Sequence, residues 1–249
     1  SNLAAFLAET RRVQYPADGE IADVTPGRVR FVRAEDGVEI ELEEHLVDWD
    51  EEVAERSGYE TFMLKEIYEQ PEAVAETIGD RARHGRVVLE GLELSDDELR
   101  QLRRIVILAC GTAYHAGVVA RYAIEEWARI PVEHDIASEW RYRNPVLSKD
   151  TLVIGITQSG ETADTLAAMR LARESRARTL AVTNMMGTQI TREVDAVLYT
   201  RAGLEMSVAA TKTFTSQIGL FYLLALKLAQ VRKTLPEQEI AALLEEVHE

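Results

Sequence analysis

The residues of this chain best suited to chemistry are hydroxyls rather than metal ligands or charged groups. Between Ile156 and Thr165 the sequence ITQSGETADT carries four hydroxyl side chains, one amide and one glycine. It follows TLVIGIT, an apolar run that reads as a buried strand. It leads into ADTLAAMRLARES, which reads as a helix. Thr157, Gln158, Ser159 and Thr162 therefore surround Gly160 at a helix start. The first turn of a helix has unpaired backbone N–H groups and a partial positive charge. Hydroxyls beside it add donors, and together they can bind a phosphate without a lysine. The same residue types are also the ordinary helix caps. The pattern alone leaves a solvated turn and an anion site both open.

A second strand end is similar but weaker. In ACGTAYHAG, from Ala109 to Gly117, Gly111 permits a tight turn and Thr112 is placed to cap the next helix. The chain has no GxxxxGK[ST] and no GxGxxG. Cys110 ends a buried strand and reads as core packing rather than a reactive thiol. His115 and His134 read as ordinary helix and strand residues. Glu161 is expected to favour a helix dipole rather than act as a base. Lys212 reads as structural, and Arg141 and Arg143 are candidates for contact with a neighbouring subunit.

Positioning these residues requires a sheet, and the sequence supplies one. From Arg104 onward short apolar strands alternate with helices. RIVILAC, PVEHDIA, TLVIGIT, TLAVTN and AVLYT are the strands. TAYHAGVVARYAIEEWAR, ADTLAAMRLARES and TQITREV are helices between them, SEWRYRNPVLSKD is irregular, and two helices close the chain. The alternation predicts an α/β fold, a doubly wound, five-stranded parallel sheet of flavodoxin-like type. Ligands in such sheets sit beyond the carboxyl ends of the strands, where the strand order reverses.

The residues before Arg104 differ. RRVQYP, GEIADVT, GRVRFVR and GVEIEL are short β-like runs, and Asp18-Gly19 and Asp36-Gly37 predict two consecutive antiparallel hairpins. Four such strands bury little alone and are expected to lean on something else. The acidic stretch from about residue 46 to 60 reads as a linker. TFMLKEIYEQPEAVAETIGDRARHG reads as a helix interrupted near Gln70-Pro71, with Pro71 in a restarted first turn. SDDELRQLRR, from Ser95, carries a capping signature.

Composition bounds the function. Of 249 residues, 43 are acidic and 28 basic, a net charge of −15, which disfavours nucleic acid and anionic lipid as partners. One cysteine excludes an internal disulfide and fits a reducing, cytoplasmic setting. No zinc-ligand spacing is present, and no cofactor is implied. The longest apolar stretch, Ile218 to Leu226, is too short to span a bilayer, and no signal-peptide pattern is read. The chain begins with Ser-Asn, as a processed chain or a piece of a longer one would.

The TQSGETADT segment after a strand resembles the signature of SIS (sugar isomerase) domains. KEIYEQPEAV, ILACGTAYHAG, IASEWRYR, ITQSGETADT, EMSVAATKTFTSQ and TRRVQYPADGEIADVT together resemble a narrower family, and the resemblance covers nearly the whole chain. That family is the isomerising glutamine–fructose-6-phosphate aminotransferases, or glucosamine-6-phosphate synthases. Its members have an N-terminal glutaminase domain and two SIS domains. Ammonia released from glutamine passes through a channel to fructose 6-phosphate. The resemblance implies that residues 1–45 are the end of a glutaminase domain, and that 61–249 are the first SIS domain with leading helices.

It further implies a sugar-phosphate pocket made by Thr157, Gln158, Ser159, Gly160 and Thr162, with Thr112 on the sugar and the backbone of Val208 also used. Ala113 stands where many relatives have a serine, which removes a hydroxyl. Thr157 stands where many have serine, which keeps one. The family's N-terminal cysteine nucleophile is absent, as are the glutamate, lysine and histidine of its second SIS domain. The expected activity of this stretch is therefore binding of fructose 6-phosphate or glucosamine 6-phosphate as part of a homodimeric enzyme, without catalytic residues of its own. A stand-alone phosphosugar-sensing SIS module, or a structural interaction piece, are the alternatives.

Overall fold

The computed structural model describes residues 10, 12–46, 56–83 and 85–248. The chain divides into two compact units, Ser1–Ser57 and Gly58–Glu249.

In the first unit, turn residues decide the pairing. β2 (Glu20–Thr25) turns at Pro26-Gly27 into antiparallel β3 (Arg28–Arg33). β3 passes through Asp36-Gly37 to β4 (Glu39–Ile40), with Phe31 opposite Ile40. The Asp36 carboxylate accepts a hydrogen bond from the Val38 N–H at 3.1 Å, and this holds its pKa below the usual value. The hairpin expected at Asp18-Gly19 is not formed. That dipeptide lies in a turn closed by Glu20 N–H to Ala17 C=O, and β1 (Arg12–Val13) pairs instead with β5 (His45–Leu46). Pro16 lacks a donor and cannot carry a ladder from β1 into β2. The expected linker thus begins with a paired strand residue, Leu46; its residues 47–55 lie outside the described ones.

The second unit begins with α1 (Phe62–Tyr68) and α2 (Gln70–Ile78), split where Pro71 enters the first turn of α2. The helix expected to continue through residue 85 ends at Ile78 instead. Gly79 caps it, and a 3-10 turn leads to the antiparallel pair β6 (Ala82–Arg83) and β7 (Arg86–Val87). α3 (Asp96–Gln101) starts with a full capping box between Ser95 and Glu98.

The parallel sheet follows. Its strands are β8 (Arg104–Ala109), β9 (Val132–Ile136), β10 (Thr151–Thr157), β11 (Arg178–Thr183) and β12 (Ala196–Tyr199). Their spatial order is β12-β11-β10-β8-β9, all parallel. Side chains alternate between two buried faces, as a sheet covered on both sides requires. Ile105, Ile107, Leu152, Ile154, Ile156, Leu180 and Val182 belong to one core cluster. It also holds residues of α4 (Thr112–Ala123), α8 (Lys212–Arg232) and α9 (Glu237–His248). Val106, Leu108, Val153 and Ala181 belong to the other. That face is covered by α5 (Ala137–Trp140), α6 (Ala163–Glu174) and α7 (Gln189–Glu193). α5 is a single turn inside a stretch expected to be irregular; it forms because Trp140 is driven into this second core. Gly155 lets α6 approach β10 closely, since a Cβ there would lie 2.7 Å from the Met169 sulfur.

α8 is the long helix expected after β12, and it runs beyond the apolar stretch Ile218–Leu226 at both ends. At 21 residues it is long and apolar enough to cross a membrane by length and composition alone. Most of that window is buried inside the unit, where Leu220, Leu223, Leu224 and Leu228 are already packed against the sheet and its neighbours.

Candidate functional site at the reversal of strand order

β8 and β10 are neighbours, with Ala109 opposite Ile156. The helices that follow them leave on opposite faces, α4 into one core and α6 into the other. The two loops diverge there, and the strand order reverses between them. This is where doubly wound sheets hold ligands.

The loop after β10 is organised by its own hydroxyls. Thr157 is buried, and its Oγ1 lies 2.8 Å from Oγ1 of Thr162 while accepting the Gly160 N–H at 3.2 Å. Thr157 thereby ties the start of the loop to its end. Ser159 Oγ accepts the Glu161 N–H at 3.2 Å, which leaves its own proton free to be donated. Gln158, Ser159 and Thr162 are half-buried. Thr162 is the N-cap of α6, yet its side chain makes no capping bond. The first-turn N–H groups of α6 are not closed off by that hydroxyl.

Gly160 has φ of +71°, and its missing side chain serves a contact inside the fold. A Cβ there would overlap the Thr188 hydroxyl and lie 2.6 Å from the Thr188 Cβ. The Gly160 C=O accepts the Ile190 N–H at 3.2 Å, and the Glu161 carboxylate accepts the Gln189 N–H at 2.8 Å. Glu161 thus meets a helix dipole, as expected, but that of α7 rather than α6.

On the β8 side, Gly111 with φ of +61° occupies the N-cap of α4. Thr112 is the first helical residue and does not cap, a correction to the sequence reading; it is exposed at the crevice end of β8. Ala113 is buried in the core, and Cys110 is half-buried. Val208 is fully exposed in the segment joining β12 to α8. That segment is linked to the loop through Asn184, a residue the sequence reading missed. The Asn184 N–H donates to Gln158 C=O at 3.2 Å. Its side chain accepts from Thr200 Oγ1 at 2.8 Å and the Ala202 N–H at 2.9 Å, and donates to Gly203 C=O at 2.6 Å.

The other candidates have partners elsewhere. Arg141 pairs with Asp164 at 2.9 Å; Arg143 pairs with Glu133 at 3.0 Å and Asp135 at 2.9 Å. Lys212 is buried and pairs with Glu69 at 2.7 Å. His115 is exposed, and His134 packs its ring 5.4 Å from that of Tyr114. Among the described residues no three His, Cys, Asp or Glu side chains group so as to hold a metal ion. A cleft of about 750 Å³ lined by Arg100, Arg103, Lys149 and Arg232 lies at the opposite, N-terminal ends of β8 and β10. Three of its cations have partners: Arg100 with Asp97 and the Val231 carbonyl, Arg103 with Asp150, and Arg232 with the carbonyls of Ala128, Leu99, Arg100 and Leu102.

The model of the SIS domain matches residues 98–227, which contain both loops. The chain belongs to the SIS domain family. Among curated relatives, this SIS chain is 51% identical over 244 residues to the glutamine–fructose-6-phosphate aminotransferase [isomerizing] of Mycobacterium tuberculosis (strain ATCC 25618 / H37Rv), covering 96% of the chain and 39% of the relative. It is 48% identical over 248 residues to the enzyme of the same name from Clostridium tetani, covering 99% of the chain and 41% of the relative. The chain thus spans about two-fifths of the length of these relatives. Among solved structures, the C-terminal domain of glucosamine-fructose-6-phosphate aminotransferase from Francisella tularensis superposes with a TM-score of 0.73 at 39% identity. It covers 78% of this SIS chain and 54% of that one. The resemblance read from the motifs and the parallel five-stranded fold are both borne out.

Proposed function

We propose that this chain provides the phosphosugar pocket of an enzyme that forms glucosamine 6-phosphate from fructose 6-phosphate and glutamine. The observation that carries this reading is the hydroxyl loop opening α6 where the strand order reverses, in a chain about half identical to aminotransferases of that name. The phosphate would sit against the first-turn N–H groups of α6, with the hydroxyls of Ser159 and Thr162 and the Gln158 amide around it. Thr157 shapes the loop, and Gly160 admits the Thr188 side chain against it. Thr112, from the neighbouring strand end, and the backbone of Val208 would address the sugar. None of these groups is a base, nucleophile or Schiff-base amine poised on a substrate carbon. The 249 residues accordingly bind the sugar phosphate and do not by themselves transform it.

The remaining assignments belong to the same reading. Residues 1–45 form the end of a glutaminase domain and 61–249 the first SIS domain. The assembly is a homodimer acting in the cytoplasm, with neither nucleic acid nor membrane as partner.

Titration calorimetry with fructose 6-phosphate and glucosamine 6-phosphate tests the pocket. The Ser159→Ala variant should bind about ten-fold more weakly, the worth of one donor to a charged acceptor. Equal affinity of variant and parent would remove this loop as the phosphate site. Glucosamine 6-phosphate production by the purified chain would overturn the division of labour. A monomer throughout a sedimentation dilution series would remove the homodimer.

A further inference from the structure

The sequence segments KEIYEQ, from Lys65, and EMSVAATK, from Glu205, are about 140 residues apart, yet they meet in one buried cluster. Lys65, Glu66, Glu205 and Lys212 are all buried. The Glu66 carboxylate, on α1, accepts the Met206 N–H at 2.5 Å and the Ser207 N–H at 3.2 Å. Glu69, the residue between α1 and α2, pairs with Lys212 at 2.7 Å and with Lys65 at 3.5 Å. Lys212 Nζ lies under the segment, 3.7 Å from where a Cβ on Gly203 would be. Glu205 accepts the Thr211 N–H at 2.8 Å and the Thr213 hydroxyl. The backbone is thus gripped at 206–207 on one side and at 211–213 on the other. Only the tip between them stands free, with Val208 and Ala209 exposed.

Burying a carboxylate costs more than burying an apolar side chain of the same size, so stability alone does not account for Glu66. What the carboxylate supplies is geometry. Two successive N–H groups converging on one anion fix the dihedral angles of the residues that carry them. We propose that Glu66 is a positioning residue: its carboxylate sets the backbone at Met206–Ser207, so that Val208 is presented at the sugar end of the pocket. Glu69 and Lys212 brace the same segment from below. The inference rests on the proposed function, which places Val208 at the sugar. It adds that α1, which touches no ligand, determines affinity for the sugar but not for the phosphate.

The full 249-residue chain is titrated with fructose 6-phosphate and, separately, with inorganic phosphate. Amide exchange is followed at Met206 and Ser207. Glu66→Ala should weaken fructose 6-phosphate about ten-fold or more, the loss expected on removing a charge-assisted hydrogen-bond acceptor. Inorganic phosphate should bind as in the parent. The two amides should exchange faster while those of β10 stay protected. Glu66→Gln keeps one oxygen acceptor and should fall between parent and alanine variant. If the alanine variant does not fold, the glutamine variant must show the same split between the two ligands at smaller size. Unchanged fructose 6-phosphate binding, or equal weakening of both ligands, overturns the inference while leaving the phosphate loop in place. A parent chain that binds neither ligand overturns the proposed function, and this inference with it.

Discussion

Replacing Gly160 by alanine perturbs the candidate site at a point where the cost can be worked out. Two terms add. An L-residue held at φ of +71° costs roughly 1–2 kcal/mol. The new Cβ also meets the Thr188 side chain, 2.6 Å from its Cβ and closer still to its hydroxyl. Overpacking of this kind costs about 1–3 kcal/mol. The sum, roughly 2–5 kcal/mol, is a large part of the ~5–15 kcal/mol that holds a typical domain folded.

The two terms are separable. Thr188→Gly removes the obstructing atoms and leaves the backbone strain. A double-mutant cycle should therefore recover about 1–3 kcal/mol of coupling, with the remaining ~1–2 kcal/mol persisting in the double variant. Urea unfolding followed by tryptophan fluorescence, with Trp49 replaced by phenylalanine in every variant, reads the second unit through Trp127 and Trp140, the latter buried in one core cluster with Leu166 and Met169 of α6. A Gly160→Ala cost under about 1 kcal/mol, or a coupling under about 0.5 kcal/mol, would refute the claim that Thr188 occupies the space over Gly160.

Three further outcomes follow from the packing and the charges. Ser95→Ala removes the cap of α3 and should cost about 1 kcal/mol by denaturant midpoint. The Ser95 N–H first, and then the Ser95 hydroxyl, hold the Glu98 carboxyl below its ordinary pKa, and the variant loses only the share of the hydroxyl. A depressed carboxyl stabilises the fold above its unfolded pKa and loses that contribution as pH falls through the folded one, so the variant should show a shallower acid limb. Arg170→Met should raise the Glu193 carboxyl toward its ordinary value, because the bidentate Arg170 bonds at 2.7 Å are the main cause of its depression; carboxyl NMR titration reads this. Leu223→Ala should cost about 2–5 kcal/mol if α8 is a core helix, measured by thermal or urea unfolding.

Local chemistry was legible in the sequence wherever it acts over a few residues. Ser95 with Glu98, Pro71 at a helix restart and Asp36-Gly37 in a hairpin each announce their structure, because the partner atoms lie within four residues. The sheet was legible from Arg104 for a different reason: its paired strands lie far apart in the chain, but apolar runs alternating with amphipathic helices are read along the sequence itself. Where two local signals compete, the reading failed. Asp18-Gly19 is a good turn, but Pro16 denies it a strand to join. Thr112 is a good cap, but Gly111 already holds that position. The helix was expected to run past Ile78, yet the buried Arg81 donates to the Thr77 and Tyr199 carbonyls where the chain turns. The Asn184 and Glu66 bonds leave no local trace, since each joins residues brought together only by the fold.

The loop from Thr157 to Thr162 contains no lysine and no arginine. Its donors are neutral, and the chain around it carries a net charge of −15. On the proposed function this has a kinetic consequence. A phosphorylated ligand approaching the chain is repelled at long range and attracted only on arrival. Added salt should then speed its association by screening the repulsion, the reverse of electrostatic steering. Ionic strength would act as a throttle on capture and barely touch release.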